Sequence, residues 1–190
     1  TYEVNIYANV EYNNPELIQY HYSDHNDTMF GFYDVRIILL SMIKNEEKII
    51  ERCISGCKDL CDAICISDTG SIDNSIEIIN NYCNNNKIQY KVYSNPWKNF
   101  GHNRTISYQN GCDFCKSLGW NPEYTYGLLL DADMKLVINN FDKNTLNLNG
   151  YQIVQSNSAM FYYNTRFVKL NNTWKCVGVT HEYWDNGVNS

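Results

Sequence analysis

The stretch "YGLLLDADMKL", Tyr126 to Leu136, places two carboxylates one residue apart directly after three leucines. Asp is a poor strand residue and costly to bury uncompensated, so the pair marks the end of a buried strand. On a tight turn Asp131 and Asp133 can hold a hard divalent cation, because carboxylate oxygens suit Mg²⁺ or Mn²⁺. Such an ion would bridge a diphosphate and neutralise charge on a departing nucleoside diphosphate. A solvated turn after a strand is the plainer account of the same residues. A second polar cluster, "SDTGSIDNS", sets Asp68 just before Gly70, which permits a tight turn. Asp68 would point into a crevice, where a carboxylate suits an imide N–H or a ribose hydroxyl. Ser71, Asp73 and Asn74 also read as caps of a following helix. The third cluster, "MIKNEE", holds Lys44, Asn45 and Glu46, and ordinary charge at a helix N-terminus accounts for it as well.

The elements between these clusters predict how they meet. The apolar run Val35 to Ile43 reads as a first strand, and "KNEEKIIERCISGCKDL" follows with helical spacing. "DAICIS" is a second strand, and Asp73 to Cys83 a second helix. "KIQYKVYS" alternates as a third strand, and "NFGHNRTISYQNGCDFCKSLG" reads as a third helix stopped by Gly119. "YGLLL" is the fourth strand. This alternation predicts right-handed βαβ units, hence an α/β fold with a mostly parallel sheet and helices on both faces. Ligands of such sheets bind beyond the carboxyl ends of the strands, where all three clusters lie. Beyond Asn140 the pattern turns β-rich and aromatic. The Tyr- and Asn-rich residues 1–34 show no firm pattern and read as a lead-in strand, a linker or the tail of an upstream domain.

Of the 190 residues, 44% are hydrophobic and 19% charged, with a net charge of −6, which is globular and offers no basic face for nucleic acid. No run of about 18 apolar residues is present to span a bilayer. Among the eight cysteines, Cys53, Cys57 and Cys61 recur every four residues on one helix stripe, and Cys65 falls in the next strand. That spacing fits small buried hydrophobes better than disulfides or zinc knuckles. Reduced thiols and no signal segment point to a cytoplasmic address. The chain begins at Thr1 and is expected to be a fragment, with residues 35–190 forming a domain whose C-terminus is truncated.

In combination these motifs resemble glycosyltransferase family 2, whose members have the nucleotide-sugar-binding GT-A fold. The sequence looks most like the branch that includes lipopolysaccharide-core β-1,4-glucosyltransferases. The residues that carry the likeness are "KNEE" after the first strand, Asp68 to Asp73 after the second, and "LDAD" after the fourth. "PWKNFGHNRT", with Asn103 and Arg104, and "GVTHEYW", with His181 and Glu182, complete it over residues 35–184. The resemblance implies a metal-dependent transfer from a UDP-sugar, for example UDP-glucose, to a glycan or protein hydroxyl. It implies that Asp68 binds the base, with Lys44, Asn45, Glu46, Ser71 and Asp73 around base and ribose. Asp131 would face ribose or sugar, and Asp133 would ligate Mn²⁺ or Mg²⁺, joined by His181. Arg104 would reach the diphosphate or the sugar, Asn103 would help bind the donor, and Glu182 is a candidate base for the acceptor hydroxyl. Phe161, Tyr162, Tyr163, Trp174 and Trp184 are candidates to stack on acceptor sugars or to pack a β-rich lobe.

Two other classes stay open on sequence. A DxD phosphohydrolase would use Asp131 as nucleophile and Asp133 as acid, but wants its Asp pair on the first strand. A non-catalytic module binding a sugar nucleotide or glycan within a larger protein has less use for a diphosphate-bridging metal beside Arg104. Ile72 stands where relatives commonly have Thr.

Overall fold

The structure, a computed structural model, describes residues 3–7, 34–156, 160–178 and 182–187, with the backbone alone for 3–7. In chain order the elements are β1 (Glu3–Tyr7), β2 (Arg36–Ile43), α1 (Ile50–Cys57), β3 (Ala63–Asp68), α2 (Ser75–Asn85) and β4 (Gln89–Ser94). There follow α3 (Phe100–Ser117), β5 (Thr125–Leu129), β6 (Lys135–Asn139), β7 (Gly150–Ser156), β8 (Phe161–Lys169), β9 (Lys175–Val177) and β10 (Tyr183–Asp185).

Eight strands form one sheet in the order β4-β3-β2-β5-β8-β7-β1-β6, and β9 pairs with β10 separately. β4, β3, β2 and β5 run parallel. β8 joins β5 antiparallel, β7 joins β8, and β1 lies between β7 and β6. This is the expected α/β, GT-A-type architecture, a mostly parallel sheet flanked by helices with a β-rich C-terminal portion. Residues 1–34 show no firm sequence pattern, and of the readings left open for them a strand is found at Glu3–Tyr7, with ladder partners more than a hundred residues away.

β2 is buried on both faces, and its side chains alternate between two cores. Ile37, Leu39 and Ile43 pack with Ile50 and Ile54 of α1 and Ile79 of α2, while Ile38 and Leu40 pack with Tyr108, Cys112 and Cys115 of α3. A continuous apolar run is what a strand covered on both sides requires. Leu40 fits because Gly111 and Gly127 leave it room: a Cβ on either would come within 2.6 Å of its methyl carbons. All eight cysteines are free and buried, as their stripe predicts.

α1 starts later than the acidic run suggested. Glu46 and Glu47 lie in the loop before it, because Asn45 has left-handed backbone (φ 57°) and breaks the helical path. Two aromatic candidates for sugar stacking pack instead. Trp174 is buried, and its ring sits where a Cβ on Gly150 would fall. Trp184 meets Tyr108 edge-on, with ring centroids 6.1 Å apart. Phe161, Tyr162 and Tyr163 are exposed.

Candidate functional site

β2 and β3 end side by side, Ile43 opposite Asp68, and the loops that follow are stitched together. The Asn45 N–H donates to Ser71 Oγ (2.9 Å), the Glu46 N–H to Ser75 Oγ (2.7 Å) and the Glu47 N–H to Asp73 Oδ2 (3.1 Å). In return the Ile72 N–H donates to Asn45 Oδ1 (2.8 Å) and the Asn74 N–H to Glu47 Oε2 (3.2 Å). Asp68 braces its own turn, accepting from the Gly70 N–H at 3.2 Å and the Ser71 N–H at 3.0 Å. Gly70 has φ 110°, a backbone angle that side chains resist. Asn45, Ser71 and Asp73 thus spend polar groups on fixing the loops, and Lys44 and Glu46 are left facing the cleft.

On the other side of β2, the chain leaving β5 turns sharply. The Leu130 N–H donates to the Leu40 carbonyl, and the Met134 N–H to that of Asp131. Arg104, one turn into α3, meets Asp131 in a fork: Nη1 to Oδ1 at 2.8 Å and Nη2 to Oδ2 at 3.2 Å. Burial pushes the Asp131 carboxyl up, but the Arg104 charge and hydrogen bonds, with Arg166 behind, hold it below the usual carboxylate range. Asp133 is exposed, and its side chain makes no hydrogen bond or ion pair to the described residues. Glu46 is raised by burial and then by the charges of Asp133, Asp73 and Asp131, so this side of the site repels a further anion. Asn103, in the first turn of α3, is buried and ties the helix to the loop before it, accepting from the Lys98 N–H at 2.8 Å and donating to the Pro96 carbonyl at 3.1 Å.

Lys44, Glu46, Trp97, Arg104, Asp131 and Asp133 line a cleft of about 390 Å³ at the carboxyl ends of the parallel strands, while Asn45, Asp68, Ser71, Asp73 and Asn103 are not among its lining residues. Trp97 and Phe100 stand half-exposed on its rim with centroids 4.8 Å apart, edge to face. The Arg104 guanidinium lies 5.9 Å from the Phe100 ring centre. The sheet order changes direction here: the chain runs from β2 out to β3 and β4, then returns to β5 on the opposite side. That reversal is the place where open α/β sheets bind ligands.

The family model described as glycosyl transferase family 2 matches residues 40–136, more than half of the chain and every cleft-lining residue above. The chain belongs to glycosyl transferase family 2. Among solved structures it is similar to S. aureus TarS 1-349 with UDP, at 20% identity and TM-score 0.39, over 52% of this chain and 27% of that one. It is also similar to the mannosyltransferase PcManGT from Pyrobaculum calidifontis with GDP-Man and Mn²⁺ (14%, TM-score 0.41, 53% and 28% covered). Glucosyl-3-phosphoglycerate synthase from Mycobacterium tuberculosis matches at 16% identity and TM-score 0.35, over 58% of this chain and 40% of that one. The match therefore spans well under two thirds of each of these proteins. No curated protein sequence matches.

Within this family 2 domain, no three His, Cys, Asp or Glu side chains among the described residues converge as a metal-holding group. The donor chemistry still fits a hard cation. Asp133 offers a carboxylate without a hydrogen-bond partner among the described residues, Glu46 and Asp131 add negative potential, and such ions take one or two carboxylates plus phosphate oxygens. Asp131 is less free, with both oxygens on Arg104. His181 lies outside the described residues. Glu182 is partly buried and close enough for its charge to act on Arg104, though it is not among the cleft-lining residues.

Two residues that sequence reasoning passed over belong to this neighbourhood. Arg166 and Gln155 are buried under the Asp131 turn, on β8 and β7. The signal was there in "FYYNTRFV", one charge inside an aromatic strand, but a strand alternation gives no partner for it. No helix among the described residues is long and apolar enough to cross a membrane.

Proposed function

We propose that this family 2 domain binds a nucleotide-sugar donor in the cleft and transfers the sugar to a hydroxyl of a glycan or protein acceptor. The observation that carries this is the convergence, at the carboxyl ends of β2, β3 and β5, of an exposed carboxylate, a forked Arg–Asp pair and an aromatic rim. Uncharged binding pockets have no need of that charge pattern. Arg104 would neutralise diphosphate oxygens, since its planar fork matches phosphate geometry and Asp131 holds that plane in place. Trp97 offers a ring face to the base or ribose, and Lys44 a mobile positive charge.

UDP is the nucleotide favoured by the sequence resemblance, and glucose the sugar of the branch it looks most like. Asp133 would hold Mn²⁺ or Mg²⁺ together with donor phosphate oxygens, and the ion would supply charge stabilisation to the leaving diphosphate. His181 is the further ligand that the motif suggests. If the reaction inverts configuration, the acceptor oxygen forms its bond to the anomeric carbon as the bond to the diphosphate breaks. Glu182 would then receive the hydroxyl proton.

Calorimetric titration with UDP, GDP and their sugars, with and without Mn²⁺, tests the donor site on wild type and Asp133→Ala. Metal-dependent binding of one nucleotide, lost in the variant, supports it. Absence of binding by folded protein overturns it. Transfer of the sugar from the bound donor to water or to a glycan then tests the activity.

A further inference from the structure

β8 carries one residue more than its partner: Tyr151 pairs with Phe167 and Gln152 with Thr165, which leaves Arg166 as a bulge. Bulges re-aim a side chain and end regular pairing, and they gather beside active sites. Here the ladder between β5 and β8 runs to Leu128 opposite Phe167 and goes no further. The next carbonyl, that of Leu129, accepts from Arg166 Nη1 at 3.2 Å. So a side chain takes over from the backbone at the residue where the chain departs toward Asp131.

The guanidinium is poorly compensated for its burial. Arg166 is 6% exposed and Gln155 is 2% exposed. Nη2 donates to the neutral Gln155 Oε1 at 2.7 Å, and Nε has no partner among the described residues. A buried charge without a hydrogen-bonded counter-ion costs stability that an apolar residue of the same volume would not. The charges that answer it are those of the cleft, Asp131 and Asp133, while Arg104 opposes it. With Arg104 paired to Asp131, the charge of Arg166 is what offsets Asp133, and without it that corner of the cleft would be net negative.

We propose that Arg166 is a positioning residue for the donor diphosphate: it holds the Leu129 carbonyl at the root of the Asp131 turn and supplies the positive charge that the Arg104–Asp131 pair lacks. This rests on the donor reading above. The discriminating variant is Gln155→Glu, which keeps the shape, gives Arg166 a carboxylate partner and cancels its charge from within. Binding is read by calorimetry with UDP, GDP and the matching nucleosides, alongside urea unfolding.

The expected result is a Gln155→Glu protein at least as stable as wild type that binds the nucleoside diphosphate about tenfold more weakly, the scale of one partly screened charge. Affinity for the nucleoside, which lacks the phosphates, stays unchanged. Arg166→Lys, which keeps the charge, retains more diphosphate affinity than Arg166→Met. Gln155→Glu binding the diphosphate as wild type does would overturn the proposal and leave Arg166 a fold residue. Wild type that binds no nucleotide at all would overturn the donor reading and this inference with it.

Discussion

Arg104 and Asp131, 27 residues apart, face each other through two parallel hydrogen bonds, and each side chain keeps about a quarter of its surface exposed. The helix and the strand end that bear them are thereby locked in register across the cleft. Asp131→Asn removes the counter-charge and leaves Arg104 half-buried, so a loss of about 1–3 kcal/mol is expected, short of the value for a fully buried pair. A double-mutant cycle with Arg104→Gln should show coupling of about 1 kcal/mol or more. The pair also sets an acid limb. Because the folded Asp131 carboxyl lies below its ordinary range, its stabilisation is complete at neutral pH and is lost as pH falls below about 4, through the lowered value. Urea unfolding from neutral to acid pH checks both. The double variant should have a flatter stability curve in that window than wild type.

Glu46 carries the opposite sign. Burial and then the neighbouring charges of Asp133, Asp73 and Asp131 raise it, so its ionised form opposes folding. That penalty is absent below the ordinary carboxylate value, develops as pH rises toward the folded value, and is complete above it. Glu46→Gln is therefore expected to stabilise the protein at pH 7 by roughly 0.5 kcal/mol, a figure kept small because the side chain is open to screening. The gain should vanish in acid. An equal gain at both ends of the pH range would show that charge is not the cause.

Ser75 tests the stitching of the loops that follow β2 and β3. Its hydroxyl is fully buried, donates to Asp73 Oδ1 at 2.6 Å and accepts from the Glu46 N–H at 2.7 Å. Ser75→Ala leaves that N–H without a partner, at a cost of about 1–3 kcal/mol. Hydrogen exchange should localise the loss to residues 45–47, with faster exchange at Glu46 than at amides of β3.

How far the sequence reached follows from the physics of each element. β2, β3 and β5 were legible because strands buried on both faces are written as unbroken apolar runs. The Asp131 and Arg104 positions were legible as motifs, but their mutual fork was not, since two residues from separate elements meet only through the sheet order. Asn45, Ser71 and Asp73 in loops, and Asn103 in the first turn of α3, read as ligand groups because polar residues near strand and helix ends look alike in sequence. Only the structure shows their atoms engaged with backbone. Arg166 was invisible for a different reason. A bulge adds one residue to an aromatic strand, and nothing in one strand's pattern reports what its partner lacks.

Gly101 and Gly56 make a paired prediction, because the same substitution should have opposite signs. Gly101 opens α3 against β9: a Cβ there would fall inside the surface of the Gly178 carbonyl oxygen and 3.2 Å from that of Cys176. The contact is fixed by Thr105 Oγ1, which donates to the Gly101 carbonyl at 2.8 Å and accepts from the Cys176 N–H at 3.0 Å. Both obstacles at Gly101 are backbone and cannot rotate away. Gly101→Ala must push β9 off the helix, with a loss of about 1–3 kcal/mol. Since β9 leads to Glu182, whose charge reaches Arg104, the variant should also weaken whatever the cleft binds. Gly56, in α1, has nothing within 4 Å of a built Cβ. There, in the last turn of the helix, Gly56→Ala reduces the entropy of the unfolded chain without a clash and should stabilise by about 0.5 kcal/mol. Urea unfolding of the two variants reads the signs, and exchange at the Cys176 amide reads the displacement. Gly101→Ala as stable as wild type, with that amide still protected, would mean that α3 and β9 are not held in contact.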